Sequence, residues 1–311
     1  MKAPPLFSRT RRGSVSAAGE QALIGMIRKW LGPSSPPSPA GIGDDCAVVG
    51  PARGRALLTV DPVILGVHFD AGIPPRQVGA KLLRRNLSDI AAMGGRPRAA
   101  VVALALDGRV SLAWLAEFYR GIALVSRRHA VPIVGGDVAR IRGSFAATLA
   151  LSGEAPGRIL TRSGSRTGDW IYVTGSLGRS LQTGHHHRFV PRLAEGEWLA
   201  RRREVRAMMD VSDGLAKDLP ALSPKGAVPA LFGEALPRRA GASVREALCD
   251  GEDYELAFSV SRRAALAPFE DAWRRAFPRT RLTRVGRFAP RGDLPPGALT
   301  LEDYRGYEHL R

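Results

Sequence analysis

The sequence predicts a mixed α/β protein built from two domains. Its 311 residues are about twice the usual length of one domain, roughly 150 residues. Short apolar runs typical of strands alternate with longer segments of helical spacing. Residues 153–169, rich in glycine, serine, arginine and threonine, indicate a domain boundary. We therefore expect a basic flexible tail over 1–19, a first domain over 20–153 and a second over 154–311.

In the first half, apolar spacing predicts a helix from Glu20 to Leu31, which Gly32 ends. Ser111 is a candidate N-cap for another helix. A strand from 131 is expected to end at Gly135-Gly136-Asp137. The remaining predicted elements are strands at 46–49, 56–60, 99–106 and 144–152, and helices at 75–93 and 111–129.

The second half continues the alternation of strands and helices after the boundary segment. It is expected to begin with a strand at Trp170–Thr174. The other predicted elements are helical stretches at 176–182, 197–208, 242–248 and 262–277, and strands at 254–260 and 281–288.

Composition excludes several classes of protein. Hydrophobic residues make up 44% of the chain, which argues against disorder. The longest apolar run, Ala99 to Leu106, is far short of the ~20 residues of a membrane helix, and residues 1–12 lack the apolar core of a secretory signal. Two cysteines, Cys46 and Cys249, fit a reducing compartment, so a cytoplasmic location without a membrane partner is expected.

The chain is strongly basic, with 46 Lys and Arg against 29 Asp and Glu and a net charge of +17. The basic residues are spread along the chain, and aromatic residues, at 6%, leave few platforms for stacking on bases. We interpret the excess mainly as background composition. A nucleic-acid-binding protein on a degenerate enzyme fold is the less favoured alternative.

Several well-known catalytic motifs are absent from the sequence. It contains no Gly-Lys dipeptide and hence no Walker A loop, no Rossmann fingerprint and no protein-kinase signature. The run His185-His186-His187 could bind a metal. We interpret it as a flexible loop because no acidic or cysteine partner is near it in sequence.

Aspartates recur beside glycines or at the ends of apolar runs. Asp61 and Asp137 each follow a predicted strand, and Asp89 lies among apolar residues of a predicted helix. One such aspartate alone is usually a turn or a cap. If the strands lie side by side, however, the acids converge at one edge, where they repel each other unless cations separate them. Mg²⁺ commonly bridges carboxylates and phosphates, so the set predicts a metal–phosphate site.

These segments resemble, in order, the motifs of thiamine-monophosphate kinases. The resemblance extends from about residue 20 to the end of the chain. The matching segments are Gly41-Ile-Gly-Asp-Asp-Cys-Ala-Val-Val49, Asp61 with Gly66-Val-His-Phe69, Asn86-Leu-Ser-Asp-Ile-Ala-Ala-Met-Gly94, Gly135-Gly-Asp137, Leu160-Thr-Arg-Ser-Gly164 with Gly168-Asp-Trp-Ile-Tyr-Val-Thr-Gly175, Met209-Asp-Val-Ser-Asp-Gly-Leu215, Gly251-Glu-Asp-Tyr-Glu-Leu256 and Gly306-Tyr-Glu-His-Leu310.

The resemblance implies the two-domain fold of aminoimidazole-ribonucleotide synthetase. In that fold an N-terminal domain dimerises through its sheets and a C-terminal α/β domain closes over the site. The implied reaction transfers phosphate from ATP to thiamine phosphate with Mg²⁺, giving thiamine diphosphate, and the implied partners are these small molecules and a second copy of the chain.

The resemblance also assigns roles to residues. Asp89 and Asp137 are implied to act electrostatically, and no residue is a nucleophile, because the acceptor phosphate is already largely ionised near neutral pH. The implied metal ligands are Asp45, Thr59, Asp61, Asp89, Asp137, Asp210 and Asp213. The implied ATP contacts are Arg162, Ser212 and Gly136, and the implied acceptor contacts are His68, Glu252 and Tyr307.

Some positions depart from the family pattern. Val60 and Val138 each stand where the family usually has threonine, so two hydroxyls near metal or phosphate are absent. Asp250 replaces a glycine, and 178–208 and 219–248 are shorter than in the family. We expect metal and ATP binding to survive. The resemblance implies the identity of the acceptor less firmly. The alternative is therefore another ATP-dependent enzyme of the same superfamily that acts on a different acceptor.

Overall fold

A computed structural model of the chain describes residues 3–38, 40–43 and 46–307. It divides into two compact units, Met1–Leu87 with Arg96–Pro156, and Ser88–Gly95 with Gly157–Arg311. Each unit contains one sheet, which agrees with the predicted α/β class. None of the described helices is both long and apolar enough to cross a membrane.

The first unit contains a four-stranded sheet in the order β1-β4-β2-β3. β4 pairs antiparallel with both β1 and β2, whereas β3 pairs parallel with β2. The strands are β1 (Arg55–Ile64), β2 (Arg96–Leu106), β3 (Ile133–Arg140) and β4 (Phe145–Ala155), and the helices are α1 (Val15–Ala18), α2 (Glu20–Leu31), α3 (Pro75–Ala92) and α4 (Leu112–His129).

Aromatic side chains form part of the core of the first unit. The rings of Trp114 and Phe145 are 4.8 Å apart between centroids, and those of Phe118 and Phe145 are 5.4 Å apart. Ser111 caps α4 as predicted, because its side chain accepts a hydrogen bond from the Trp114 backbone N–H at 3.4 Å.

Most of the predicted elements of the first unit are present, with three differences. Residues 46–49 have no regular structure, and β3 continues through Gly135-Gly136-Asp137 instead of ending there. The described part of the expected loose tail packs against this unit, since Leu6 and Val15 are buried. Burying these apolar side chains removes their surface from water, which stabilises the packed conformation. The basic residues around them in the sequence had suggested a loose tail.

α3 and α4 approach each other closely at glycines. A Cβ atom on Gly79 would lie 1.9 Å from the Phe118 carbonyl oxygen, and one on Gly121 would lie 2.0 Å from the Arg76 carbonyl oxygen. Both positions require glycine because no side chain fits between the two backbones.

We expect Gly79→Ala to lower the free energy of unfolding by about 2 kcal/mol, because the added methyl group forces the helices apart. Gly25→Ala is the control, since no atom lies within 4 Å of a Cβ at Gly25 in α2. That change should raise stability by about 0.5–1 kcal/mol. Urea unfolding measures both, and equal midpoints for the two variants would contradict the close approach.

The second unit contains a five-stranded antiparallel sheet in the order β6-β8-β5-β9-β7. β8, at the second position, is buried along its whole length. The strands are β5 (Trp170–Thr174), β6 (Val205–Val211), β7 (Ala227–Leu231), β8 (Glu255–Val260) and β9 (Leu282–Pro290), and the helices are α5 (Leu193–Ala200), α6 (Leu215–Asp218), α7 (Val244–Cys249) and α8 (Leu266–Ala276).

Two predictions for the second unit were wrong. Residues 176–182 are not helical, since Leu177 forms an isolated bridge with Arg238 and a turn begins at residue 180. The helix expected over 197–208 is instead the end of α5 followed by strand β6. β7 was missed altogether. The segment from Val205 to Val211 is buried at every position but Arg206, so it lacks the alternation that distinguishes a half-exposed strand from a buried helix.

Candidate functional site

The predicted site residues fall into two groups, one in each unit. Asp45 lies outside the described residues. The first unit contains Thr59, Asp61, His68, Gly136 and Asp137, and the second contains Asp89, Arg162, Asp210, Ser212, Asp213, Glu252 and Tyr307.

Asp61 and Asp137 are not brought together in the sheet of the first unit. Asp61 lies on β1 and Asp137 on β3, the two outer strands, with β4 and β2 between them. Three strand spacings separate them, about 14 Å along the sheet. The condition for convergence within this sheet, that the two strands lie side by side, is therefore not met. The reason is that β4, later in the chain, inserts between β1 and β2.

Three of the predicted site residues of the first unit have different surroundings. Asp61 forms an ion pair with Arg85 of α3 at 3.3 Å, and Asp137 is exposed. His68 is buried; its Nδ1 accepts the Ile64 backbone N–H at 3.2 Å, and its carbonyl oxygen accepts a hydrogen bond from Lys81 Nζ at 2.7 Å. The hydrogen bond accepted at Nδ1 places the proton of the neutral His68 ring on Nε2.

In the second unit, two of the predicted acids interact. Asp210, near the end of β6, is 4% exposed, and its Oδ2 accepts a hydrogen bond from the Ser88 hydroxyl at 2.6 Å. Burial, followed by the charge of Asp89, raises the pKa of Asp210 to about 6, while Ser88 and Arg162 act in the opposite direction. The three charged residues, Asp89, Asp210 and Arg162, thus form one electrostatic cluster.

The turn after β6 is held by a residue that sequence reasoning missed. Asp218, at the end of α6, accepts hydrogen bonds at its Oδ2 from the backbone N–H groups of Ser212 and Asp213, both at 2.9 Å. Burial raises the pKa of Asp218 to about 7. An aspartate five residues beyond Asp213, at the end of the short helix that follows the turn, was the sequence signal for this contact.

The chain near Tyr307 reaches the same turn. The Tyr307 backbone N–H donates to the Asp213 carbonyl oxygen at 2.8 Å, and Lys217 Nζ donates to the Tyr307 carbonyl oxygen at 2.6 Å. Lys217 also pairs with the Asp213 carboxylate at 2.8 Å. Asp213 and Tyr307, predicted for metal and acceptor respectively, are therefore neighbours.

The loop before β8 lies directly beside this turn. The Glu252 N–H donates to the Ser212 carbonyl oxygen at 2.6 Å, and the Tyr254 N–H donates to the Val211 carbonyl oxygen at 2.8 Å. Asp250, the departure from the family pattern, has a structural partner, because its Oδ2 accepts the Arg179 backbone N–H at 2.7 Å. Asp253 is fully buried and pairs with Arg239 at 2.9 Å.

The histidine run was wrongly interpreted as a flexible loop without an acidic partner. His185–His187 forms a turn of 3₁₀-helix in which His186 and His187 are buried. His186 Nδ1 lies 3.1 Å from Glu252 Oε2, a contact between residues 66 positions apart. The partner is distant in sequence, so spacing within the run gave no signal for it.

The second unit thus gathers carboxylates, a cationic side chain and a turn whose backbone is fixed by hydrogen bonds. This arrangement can bind a charged ligand and its counter-ion through electrostatics and needs no nucleophile. Among the described residues, no group of three or more His, Cys, Asp or Glu side chains is placed to hold a metal ion. Further ligands of a cation at Asp89 and Asp210 would be substrate oxygens or water.

The chain is similar to a known class of proteins. Residues 43–159 match the family described as AIR synthase related protein, N-terminal domain. The chain is 36% identical to the thiamine-monophosphate kinase of Escherichia coli (strain K12) over 275 residues, 78% of this chain and 83% of the relative. It belongs to the thiamine-monophosphate kinase family, as the motifs predicted.

Solved structures agree with this assignment. The thiamine-monophosphate kinase of Stenotrophomonas maltophilia K279a matches with a TM-score of 0.70 and 30% identity over 86% of this chain and 93% of that one. AaThiL complexed with AMPPCP and TMP matches with a TM-score of 0.70 and 28% identity over 97% of this chain and 100% of that one. The predicted fold class is therefore confirmed.

Proposed function

We propose that the chain transfers the terminal phosphate of ATP to thiamine phosphate, giving ADP and thiamine diphosphate. The observation that carries the proposal is the joining of Ser212, Asp213, Glu252 and Tyr307 by backbone hydrogen bonds in one unit. Residues implied to contact ATP, metal and acceptor are thereby neighbours. A structural relative of similar length is complexed with AMPPCP and TMP.

The chain's own residues would act by positioning and charge. The two N–H groups bonded to Asp218 fix the Ser212–Asp213 turn, and the Arg162 guanidinium offers a positive charge for phosphate oxygens. Phosphoryl transfer between two polyanions requires alignment and screening more than covalent chemistry. The ATP contacts proposed for Arg162, Ser212 and Gly136 follow from the family resemblance.

Mg²⁺ is the proposed cofactor. The donor set suits it, because Asp89 and Asp210 supply hard carboxylate oxygens, and the charge of Asp89 raises the pKa of the buried Asp210. When bound, Mg²⁺ screens the charge of the phosphates and polarises their oxygens. Metal contacts by Asp45, Thr59, Asp61, Asp137 and Asp213 remain predictions from the resemblance.

The acceptor contacts proposed are His68, Glu252 and Tyr307. Thiamine carries a cationic thiazolium ring, which a carboxylate such as Glu252 complements.

Both cysteines are free thiols, which fits the proposed cytoplasmic location.

The direct test is an assay with ATP, MgCl₂ and thiamine phosphate that measures thiamine diphosphate by its fluorescent oxidation product. We expect product with Mg²⁺ and none with excess EDTA. A panel of other phosphorylated acceptors, measured by ADP release, tests the alternative that the chain is another ATP-dependent enzyme of the same superfamily. ADP release with another acceptor and no thiamine diphosphate would contradict the proposal.

A homodimer is proposed through the exposed face of the first sheet. Leu58, Val60 and Val101 are 81%, 61% and 39% exposed, and Val60 and Val101 lie in one row on either side of Ala150. A contiguous apolar sheet face of this kind usually marks a protein interface. A second copy would cover it with an equivalent face.

We expect Val60→Asp to convert the dimer to a monomer, because it places a charge in the apolar interface. Light scattering after size-exclusion chromatography measures the mass. Leu124→Asp is the control, since Leu124 is a similarly exposed apolar residue on α4. A Val60→Asp variant that keeps the dimer mass would contradict this interface.

A further inference from the structure

The His185–His187 turn is tied to the loop that carries Glu252 by several hydrogen bonds. His186 Nδ1 lies 3.1 Å from Glu252 Oε2, and His185 Nε2 lies 3.1 Å from the Asp253 carbonyl oxygen. The Ser180 hydroxyl donates to the Glu252 carbonyl oxygen at 2.8 Å. The turn therefore packs specifically against the loop.

His187 extends the contact with Glu252 into a chain. Its Nδ1 lies 2.9 Å from His186 Nε2, and the two histidines are 8% and 6% exposed. An ionised carboxylate only accepts hydrogen bonds, so His186 must carry a proton on Nδ1. In the neutral ring, Nε2 then accepts the Nδ1 proton of His187. Both ring nitrogens of His186 are thus engaged, which argues against a role as a metal ligand.

The backbone of Glu252 is held in an unfavourable conformation. Its φ of 63° lies in the left-handed region, which side chains other than glycine, asparagine and aspartate rarely adopt. Tyr254, two residues on, has a φ of 52°, and its ring stacks on Phe189 with centroids 4.0 Å apart. Such strain persists where the surroundings over-determine it and is concentrated at ligand-binding positions.

We infer that His186 is a positioning residue for the acceptor: it orients the Glu252 carboxylate, and His187 fixes the tautomer of His186. The inference rests on the proposed function and deepens it. The arrangement favours a phosphorylated heteroaromatic cation as ligand, because the oriented Glu252 carboxylate attracts its positive ring. The Glu252 carboxylate also lies 3.5 Å from the Tyr254 hydroxyl. Loss of the shorter hydrogen bond to His186 orients the carboxylate less firmly, so acceptor binding weakens while ATP binding does not.

Steady-state kinetics of three full-length variants test the role. His186→Leu keeps the side-chain volume without a donor and should raise KM for thiamine phosphate about 10- to 100-fold, with KM for ATP changed less than about twofold. His186→Asn, whose amide nitrogen replaces Nδ1, should restore most of the affinity. His185→Leu is the control, because His185 contacts the same loop without touching the Glu252 carboxylate.

An equal rise in both KM values for His186→Leu, or an equal rise in KM for the acceptor in His185→Leu, would overturn the inference. So would a His186→Asn variant no better than His186→Leu. Failure of the wild-type chain to form thiamine diphosphate would instead overturn the proposed function.

A second measurement does not depend on activity or on the folding of a variant. Nitrogen-15 NMR of the six histidines in the wild-type chain reports the tautomer of each ring. We expect a proton on Nδ1 of His186, in contrast with the Nε2 tautomer usual for a histidine side chain in water. A neutral His186 protonated on Nε2 would overturn the inference.

Discussion

Asp89→Ala should abolish phosphoryl transfer, lowering kcat/KM by about 10³-fold or more, while the chain stays folded. Asp89 and Asp210 supply the carboxylate pair proposed for Mg²⁺, and removing one of them weakens binding of the cation that would link the carboxylates to the phosphates. The variant should be at least as stable as wild type, because the charge of Asp89 disfavours ionisation of the buried Asp210. The kinase assay and thermal unfolding, run on the same preparation, measure the two effects.

Asp293→Ala is the matched control for Asp89→Ala, since Asp293 is exposed in a turn far from β6 in sequence. It should leave turnover unchanged. Substantial activity in Asp89→Ala would remove this residue from the proposed cation site. A folded but inactive Asp89→Ala with a lowered unfolding temperature would contradict the repulsion between the two carboxylates.

Asp218→Leu should lower kcat/KM by about 10²-fold and destabilise the chain by about 1–3 kcal/mol. The leucine leaves the Ser212 and Asp213 N–H groups without their acceptor, so the turn proposed to bind ATP and metal loses its fixed geometry. Asp218→Asn keeps an acceptor oxygen. It should retain most of the stability and activity, because burial already favours the neutral form of Asp218.

Urea unfolding and the kinase assay separate the two parts of this prediction. If Asp218→Asn loses as much activity as Asp218→Leu, the negative charge of Asp218 is required. Accepting the hydrogen bonds of the two N–H groups is then not its main role. If Asp218→Leu is fully active, the turn does not depend on Asp218 at all.

The sequence was most informative where a local rule decided the structure. α2 was predicted with its observed bounds, since the spacing of apolar residues and the glycine after Leu31 act within a few residues. Ser111 was recognised as an N-cap for the same reason. The helix expected over 197–208 was wrong because β6, buried at all but one position, lacks the alternation that marks a half-exposed strand.

The candidate site likewise combines motifs that the sequence made visible with contacts that it did not. The motifs around Asp89, Asp210, Ser212, Asp213 and Glu252 were visible as short segments, and their order along the chain was enough to indicate the family. Their arrangement was not visible. The hydrogen bonds from Glu252 to Ser212 and from His186 to Glu252 join segments 40 and 66 positions apart, and no local pattern encodes such distances.

The sequence by itself determined the α/β class, the family and the residue types available for binding a charged substrate. Only the tertiary structure decided which of them meet. It placed β4 between β1 and β2, so Asp61 and Asp137 lie on opposite edges of their sheet. It also brought a histidine run with no local acidic partner against Glu252. The physical reason is that propensity and capping act over one or two turns, whereas strand order and burial depend on how the whole chain covers its apolar surface.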